Sequence, residues 1–154
     1  MSFISVNGQS GFASDSAVFA RFKSAGSYVV FDAHMELLVS VKPDNDAEGI
    51  AIAEDVCDQI FSTKTGGKNL IRLPEGSFVD RDYVGGISVA NGSSVVIKAK
   101  DGNGYIFWLD TPSAKNAEAI CTELIKLMAT HGKKRLDEID WDGLLQDIPE
   151  TAEV

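Results

Sequence analysis

The sequence predicts an α+β fold: a curved antiparallel sheet of about six or seven short strands, one inserted helix at about 46–62 and one long C-terminal helix at about 112–131. Three observations carry it. Apolar and polar residues alternate in short runs over the first 41 residues and again between 68 and 110, the period-two pattern of strands with one buried face. The period switches to helical spacing once inside the chain and once after the last of those runs. Asn91-Gly92 and Asp101-Gly102-Asn103-Gly104 punctuate the later runs, and such pairs supply the left-handed backbone that tight hairpins need.

The elements follow in order. Residues 1–15 are small and polar and suit a loose leading segment or a short edge strand. Between Ser16 and Lys23, Val18, Ala20 and Phe22 alternate with Phe19, Arg21 and Lys23. That pattern favours a strand, with a helix capped by Asp15 as the competitor. Ser24-Ala25-Gly26-Ser27 turns the chain, Tyr28–Phe31 makes the next strand, and Glu36–Val41 a third, closed by Pro43. From Asp46 to Phe61, Ile50, Ala53, Val56, Cys57, Ile60 and Phe61 recur at helical spacing, with Glu54, Asp55 and Asp58 opposite. Asp46 is placed to cap that helix and Glu48 to complement its dipole. Lys68–Leu73 returns to strand character, Pro74-Glu75-Gly76 turns, and Asp82–Ala90, Ser94–Lys100 and Gly104–Asp110 read as an antiparallel meander.

The second helix opens at Asp110-Thr111-Pro112, with proline at its first position. Ala114, Ala117, Ile120, Cys121, Leu124, Leu127 and Met128 form its apolar stripe, and Gly132 closes it before Lys133-Lys134-Arg135. No internal repeat appears, and no domain boundary is visible before residue 132. Residues 1–135 are therefore expected to form one domain, followed by an acidic and apolar tail at 136–154. The order of elements is similar to that of a pleckstrin-homology-like barrel, where a C-terminal helix plugs one end. The likeness rests on element count, and a sandwich of one sheet with two helices satisfies the same order.

Composition bounds the function. A chain of 154 residues buries roughly two thirds of its unfolded surface and needs no disulfide or metal to hold together. Its formal charge of −9 opposes nonspecific attraction to nucleic acid or anionic membrane and suits a basic partner. Cys57 and Cys121 fall on helical apolar stripes, where a thiol behaves as a small hydrophobe. The N-terminus lacks a signal-peptide pattern, and no apolar run approaches the 18 or so residues of a membrane span. Cytoplasm is the expected location.

Few constellations suggest chemistry. Asp44-Asn45-Asp46-Ala47-Glu48-Gly49 matches the first half of a calcium loop, with Asp55 at the twelfth position. However, a strand and Pro43 precede it, Ala51 holds the eighth position, and an acidic helix N-terminus accounts for the same residues. Thr65-Gly66-Gly67-Lys68-Asn69 lacks the first glycine and the final hydroxyl of a phosphate loop and lies between a helix and a strand, the reverse of the required order. His34 and His131 have no cysteine or serine in a nucleophile context. No catalytic residue, metal site or cofactor is assigned, and the chain is expected not to be an enzyme.

Two surfaces remain. With a turn at Gly102-Asn103, Lys100 faces Tyr105 and Lys98 faces Phe107, so these four share one face. Ile97, Ala99, Ile106 and Trp108 then share the core face. A basic and aromatic face has the chemistry of a stacking platform for single-stranded nucleic acid, and Arg72, Arg81 and Tyr83 would extend it. The tail interleaves Asp140, Asp142 and other carboxylates with Trp141, Leu144 and Leu145. Such a segment is docked on its own domain or presented to a partner. The leading expectation is a non-catalytic protein-interaction module, an adaptor, inhibitor or immunity-type protein. It would act through its acidic surface and tail on a protein that is basic or has an apolar groove. A single-strand nucleic-acid binder restrained by its acidic tail is the alternative, and a homodimer through a sheet edge or the tail is compatible with either.

Overall fold

The computed structural model describes residues 3–63, 69–100, 105–129 and 140–146. Its elements are mixed α and β with every strand pairing antiparallel. The described strands number ten and form open sheets of five, three and two. The barrel likeness is thereby corrected: the sheet orders end in unpaired edges and no sheet closes on itself. Contacts gather Phe3–Tyr83 into one compact unit and the described residues from Val84 into a second. Nothing in the composition marks that division.

The first unit begins with a hairpin of β1 (Phe3–Val6) and β2 (Ser10–Ala13). Asn7 and Gly8 take φ of 53° and 69°, the left-handed pair of a tight hairpin turn. Residues 3–13 are thus a paired hairpin rather than a loose segment or a lone edge strand. The strand reading of the next run holds: β3 (Phe19–Phe22) is followed by β4 (Tyr28–Phe31), β5 (Leu37–Val41), α1 (Asp46–Phe61), β6 (Leu70–Arg72) and β7 (Phe78–Asp80). The five strands lie in the order β5-β4-β3-β7-β6.

Helix α1 buries Ile52, Ala53, Val56, Cys57, Ile60 and Phe61, which cluster with Phe22, Tyr28, Val30 and Phe78 from the strands. Each fully buried valine, isoleucine or phenylalanine among them contributes about 1.5–3 kcal/mol relative to exposure. Two glycines allow the close approach. A Cβ on Gly49 would collide with the Phe22 ring, and one on Gly76 would meet the Ala53 backbone and lie 2.5 Å from the Glu54 nitrogen. Gly76 also has φ of +79°. The Cys57 thiol donates to the Gly76 carbonyl at 3.1 Å, and burial, against the pull of Arg72, pushes its pKa up to about 12. On the other flank of the stripe, the Arg72 guanidinium reaches Glu54 at 2.6 Å and Asp58 at 3.0 Å and lies over the Phe61 ring.

The acidic start of α1 is explained by capping. Asn45, not Asp46, is the N-cap, accepting from the Glu48 N–H at 2.8 Å, and Glu48 in turn accepts from the Asp44 N–H at 3.0 Å. Asp46 turns away to the β3–β4 loop, where it accepts from the Ala25 N–H at 2.8 Å and from the Ser24 hydroxyl. Asp55 accepts from Gln59. Three of the four carboxylates of the calcium-like pattern, Asp46, Glu48 and Asp55, thus serve different partners. Among the described residues no group of three potential ligands gathers.

The second unit holds β8 (Val84–Ala90), β9 (Ser94–Ala99) and β10 (Tyr105–Asp110), the expected meander, then α2 (Ala114–Ala129) and the single turn α3 (Trp141–Leu144). Pro112 lies ahead of α2 rather than at its first position. Thr111 still belongs to the sheet end, its N–H and hydroxyl both donating to the Ser93 carbonyl. The helix starts instead from Ser113, whose hydroxyl accepts from the Asn116 N–H at 3.3 Å.

Both units repeat one architecture. In each, a three-stranded antiparallel meander leads into a helix of 16 residues. The first residue of the middle strand is flanked by the last residues of its two neighbours: Tyr28 by Phe22 and Val41, Ser94 by Ala90 and Asp110. The middle strands even enter alike, as Gly26-Ser27-Tyr28-Val29-Val30 and Gly92-Ser93-Ser94-Val95-Val96. The sequence itself carries no internal repeat. The loops differ in length and equivalent positions differ in kind, Val41 against Asp110 and Arg21 against Val89, so the repetition lies in pairing and register.

Two outcomes follow from the first unit. Replacing Gly76 by alanine forces a Cβ into the α1 backbone at a left-handed position and is expected to cost about 2–4 kcal/mol in urea unfolding. The Asp46 carboxyl is held below the usual carboxylate range by the Ala25 N–H and then the Ser24 hydroxyl. Its contribution is therefore present above the unfolded pKa, near 4, and is lost as pH falls through the lower folded value. Stability measured between about pH 2 and 5 should show a shallower acid limb in Asp46→Asn than in the parent.

Candidate functional site

The two surfaces singled out in the sequence both belong to the second unit. On the meander, Lys98 stands opposite Tyr105 on one side and Gly86 on the other, and the register shifts next to both pairs. Ile106 is the extra residue on β10 and Gly85 the extra residue on β8. A one-residue bulge reverses the facing of everything beyond it. Phe107 therefore pairs with Ile97 and is 9% exposed, whereas Trp108 pairs with Val96 and is 38% exposed.

The expected four-residue face is corrected accordingly. Lys98 and Lys100 are exposed, and the Tyr105 backbone opposes Lys98 rather than Lys100. Phe107 belongs to the buried face with Ile97, and Trp108 takes the place expected of it on the Lys98 side. The Trp108 indole N–H donates to Asp110 at 2.9 Å and the Ser94 hydroxyl donates to the same oxygen at 2.7 Å. These bonds, Ser94 first, hold the Asp110 carboxyl below its ordinary range. The aromatic on this face is thus tied to an anion, an arrangement poorly suited to a nucleic-acid backbone. Arg72, expected to extend the face, belongs to the first unit and is engaged there with Glu54 and Asp58.

The second surface is built from α2 and the segment Asp140–Gln146. Asp140 caps α3, accepting from the Gly143 N–H at 3.1 Å, and a Cβ on Gly143 would crowd that carboxylate. One helical turn cannot hold itself, and its last carbonyls need donors. They find one in Asn116. This side chain, 0% exposed on α2, donates through Nδ2 to the Leu144 carbonyl at 2.7 Å and the Gln146 carbonyl at 2.6 Å. Its Oδ1 accepts from the Ser113 hydroxyl at 2.6 Å. Both amide protons are used and the tail segment is docked on its own chain. Trp141, Leu144 and Leu145 are half-buried there, while Asp140 and Asp142 are exposed around them.

Asn116 is the residue that sequence reasoning missed. Its only signal was a polar amide beside Ala117 and Ile120 on an otherwise apolar helix face, and a buried asparagine requires partners. Of the remaining candidates, His34 is exposed beside the Asp32 turn, and Cys57 and Cys121 are buried free thiols. His131, Gly66, Gly67 and Lys68 lie outside the described residues. No helix among the described residues is long and apolar enough to cross a membrane.

Fold and surfaces together define an α+β chain of two meander-and-helix units with an acidic segment clamped to the second helix. No family model, no curated protein and no solved structure matches it.

Asn116→Ala leaves two carbonyls without their buried donor. We expect a loss of about 1–3 kcal/mol in overall stability. Hydrogen exchange should further show the amides of Gly143–Gln146 losing protection while those of α1 keep theirs.

Proposed function

We propose that this protein is a non-catalytic protein-interaction module of the cytoplasm, an adaptor, inhibitor or immunity-type protein that binds a basic partner through the segment Asp140–Gln146. The observation that carries the reading is the Asn116 clamp. It presents the exposed carboxylates of Asp140 and Asp142 around half-buried Trp141, Leu144 and Leu145 in one conformation. A preformed apolar centre with a charged rim suits protein recognition, because little ordering entropy is lost on binding. The charge of −9 supports the same reading, since it accelerates encounter with a cationic protein and makes association salt-dependent.

The test is affinity capture from the native cell extract at low salt, followed by titration of the captured partner with purified variants. A cationic protein should be retained, with affinity falling as salt rises. Asp140→Lys together with Asp142→Lys should weaken binding about tenfold, since rim charge pairs are each worth roughly 0.2–1 kcal/mol and reversal adds repulsion. Binding that is indifferent to both salt and the double variant would sink the reading.

A further inference from the structure

The repeated architecture exposes an asymmetry. In the first unit, β3 is the leading strand of the meander and both its edges are filled, by β4 on one side and by β7 on the other, with Phe19 opposite Val79 and Ala20 opposite Phe78. In the second unit the corresponding leading strand is β8. Among the described residues it pairs with β9 alone. The edge that the chain fills for itself in one unit has no partner strand among the described residues of the other.

Beyond a single bulge at Gly85, that edge carries little protection. Strand β8, Val84-Gly85-Gly86-Ile87-Ser88-Val89-Ala90, is the longest described strand and carries neither charge nor proline. Gly85, Ser88 and Val89 are exposed. The other edges are guarded or short. Strand β5 is flanked by Glu36 and by Lys42-Pro43, β6 ends in Arg72 close to Pro74, β10 ends in Asp110, and β1 and β2 have four residues each. Charges, prolines and bulges keep sheet edges from pairing; β8 has only the bulge at Gly85, beyond which residues 86–90 run in regular register with β9.

We propose that the outer edge of β8 pairs antiparallel with β8 of a second copy of this chain, joining two three-stranded sheets edge to edge. Identical strands related by a two-fold axis set each side chain against one from the same short sequence, so a single charged residue would face its own kind or lie close to it. A strand without charge brings no like charges together. Self-pairing by an isologous contact is also the commonest route to a closed dimer. The interface is smaller than the roughly 800 Å² per partner of a standard complex, so association in the micromolar range is expected. Two copies of a −9 chain repel at long range, and salt screens that repulsion. Dimerisation should therefore strengthen with salt, the opposite of the response expected for the acidic segment and its basic partner. The two readings can fail separately.

Sedimentation velocity over a wide concentration range, at low and high salt, tests this directly. The parent chain should pass from monomer to dimer, at lower concentration in high salt. Val89→Lys and Ser88→Lys alter exposed side chains on opposite faces of the strand. Each should raise the dissociation constant about tenfold or more while leaving the circular dichroism spectrum unchanged. Hydrogen exchange should show amides of β8 gaining protection in the dimer. A chain that stays monomeric at every concentration and salt overturns the proposal. So does a dimer that both lysine variants leave intact, or an extended peptide of another protein that protects β8 while the chain itself stays monomeric.

Discussion

A three-stranded antiparallel meander has one apolar face and is marginal in water until something covers that face. Everything else in this protein depends on that requirement being met by a helix of 16 residues, once through α1 and once through α2. In the first unit the demand is visible in the glycines. Gly49 lets Phe22 reach the helix backbone, and Gly76 lets the turn before β7 press against Ala53 and Glu54. The close fit leaves Cys57 inside, a thiol pushed far from reactivity by burial. It also leaves the Tyr28 hydroxyl buried and without a hydrogen-bond partner among the described residues, a cost the surrounding apolar contacts must offset.

Polar groups decide what the packing leaves open. Asn45, Glu48 and Asp44 settle the start of α1, and Asp46 ties that start to the β3–β4 turn, where Ala25 holds a left-handed backbone. Asn116 does comparable work in the second unit, using both of its amide protons to hold the end of α3. These are small contacts beside the buried stripes. Even so, they set the register of a loop and the location of a tail, and hydrophobic burial alone specifies neither.

Much of the fold was legible because its signals are local. Helical spacing from Ile50 to Phe61 lies within 12 neighbouring residues, and Asn91-Gly92 announces its hairpin by itself. Asn7-Gly8 carried the same announcement, but a four-residue strand on either side offers too little alternation to stand out from a polar leader. The surfaces were harder. Phe107 and Trp108 exchange faces because Ile106 bulges opposite Lys98 and Ile97, and a bulge leaves no mark in a two-residue period. The calcium-like run shows the converse, a spacing that matched a motif while Asp46, Glu48 and Asp55 each found a different local partner.

The sequence by itself determined the class, the two long helices, the central meander and the acidity of the tail, since each follows from periodicity, turn chemistry or charge within a short window. Only the tertiary structure decided that the meander and helix occur twice, that Phe107 is core and Trp108 surface, and that the tail segment is clamped by Asn116. The physical reason is common to all three. Strand register, the facing of side chains beyond a bulge, and the partner of a buried amide are set by residues distant in the chain. Asn116 and Leu144 are 28 positions apart, and no window short enough to show a period contains both.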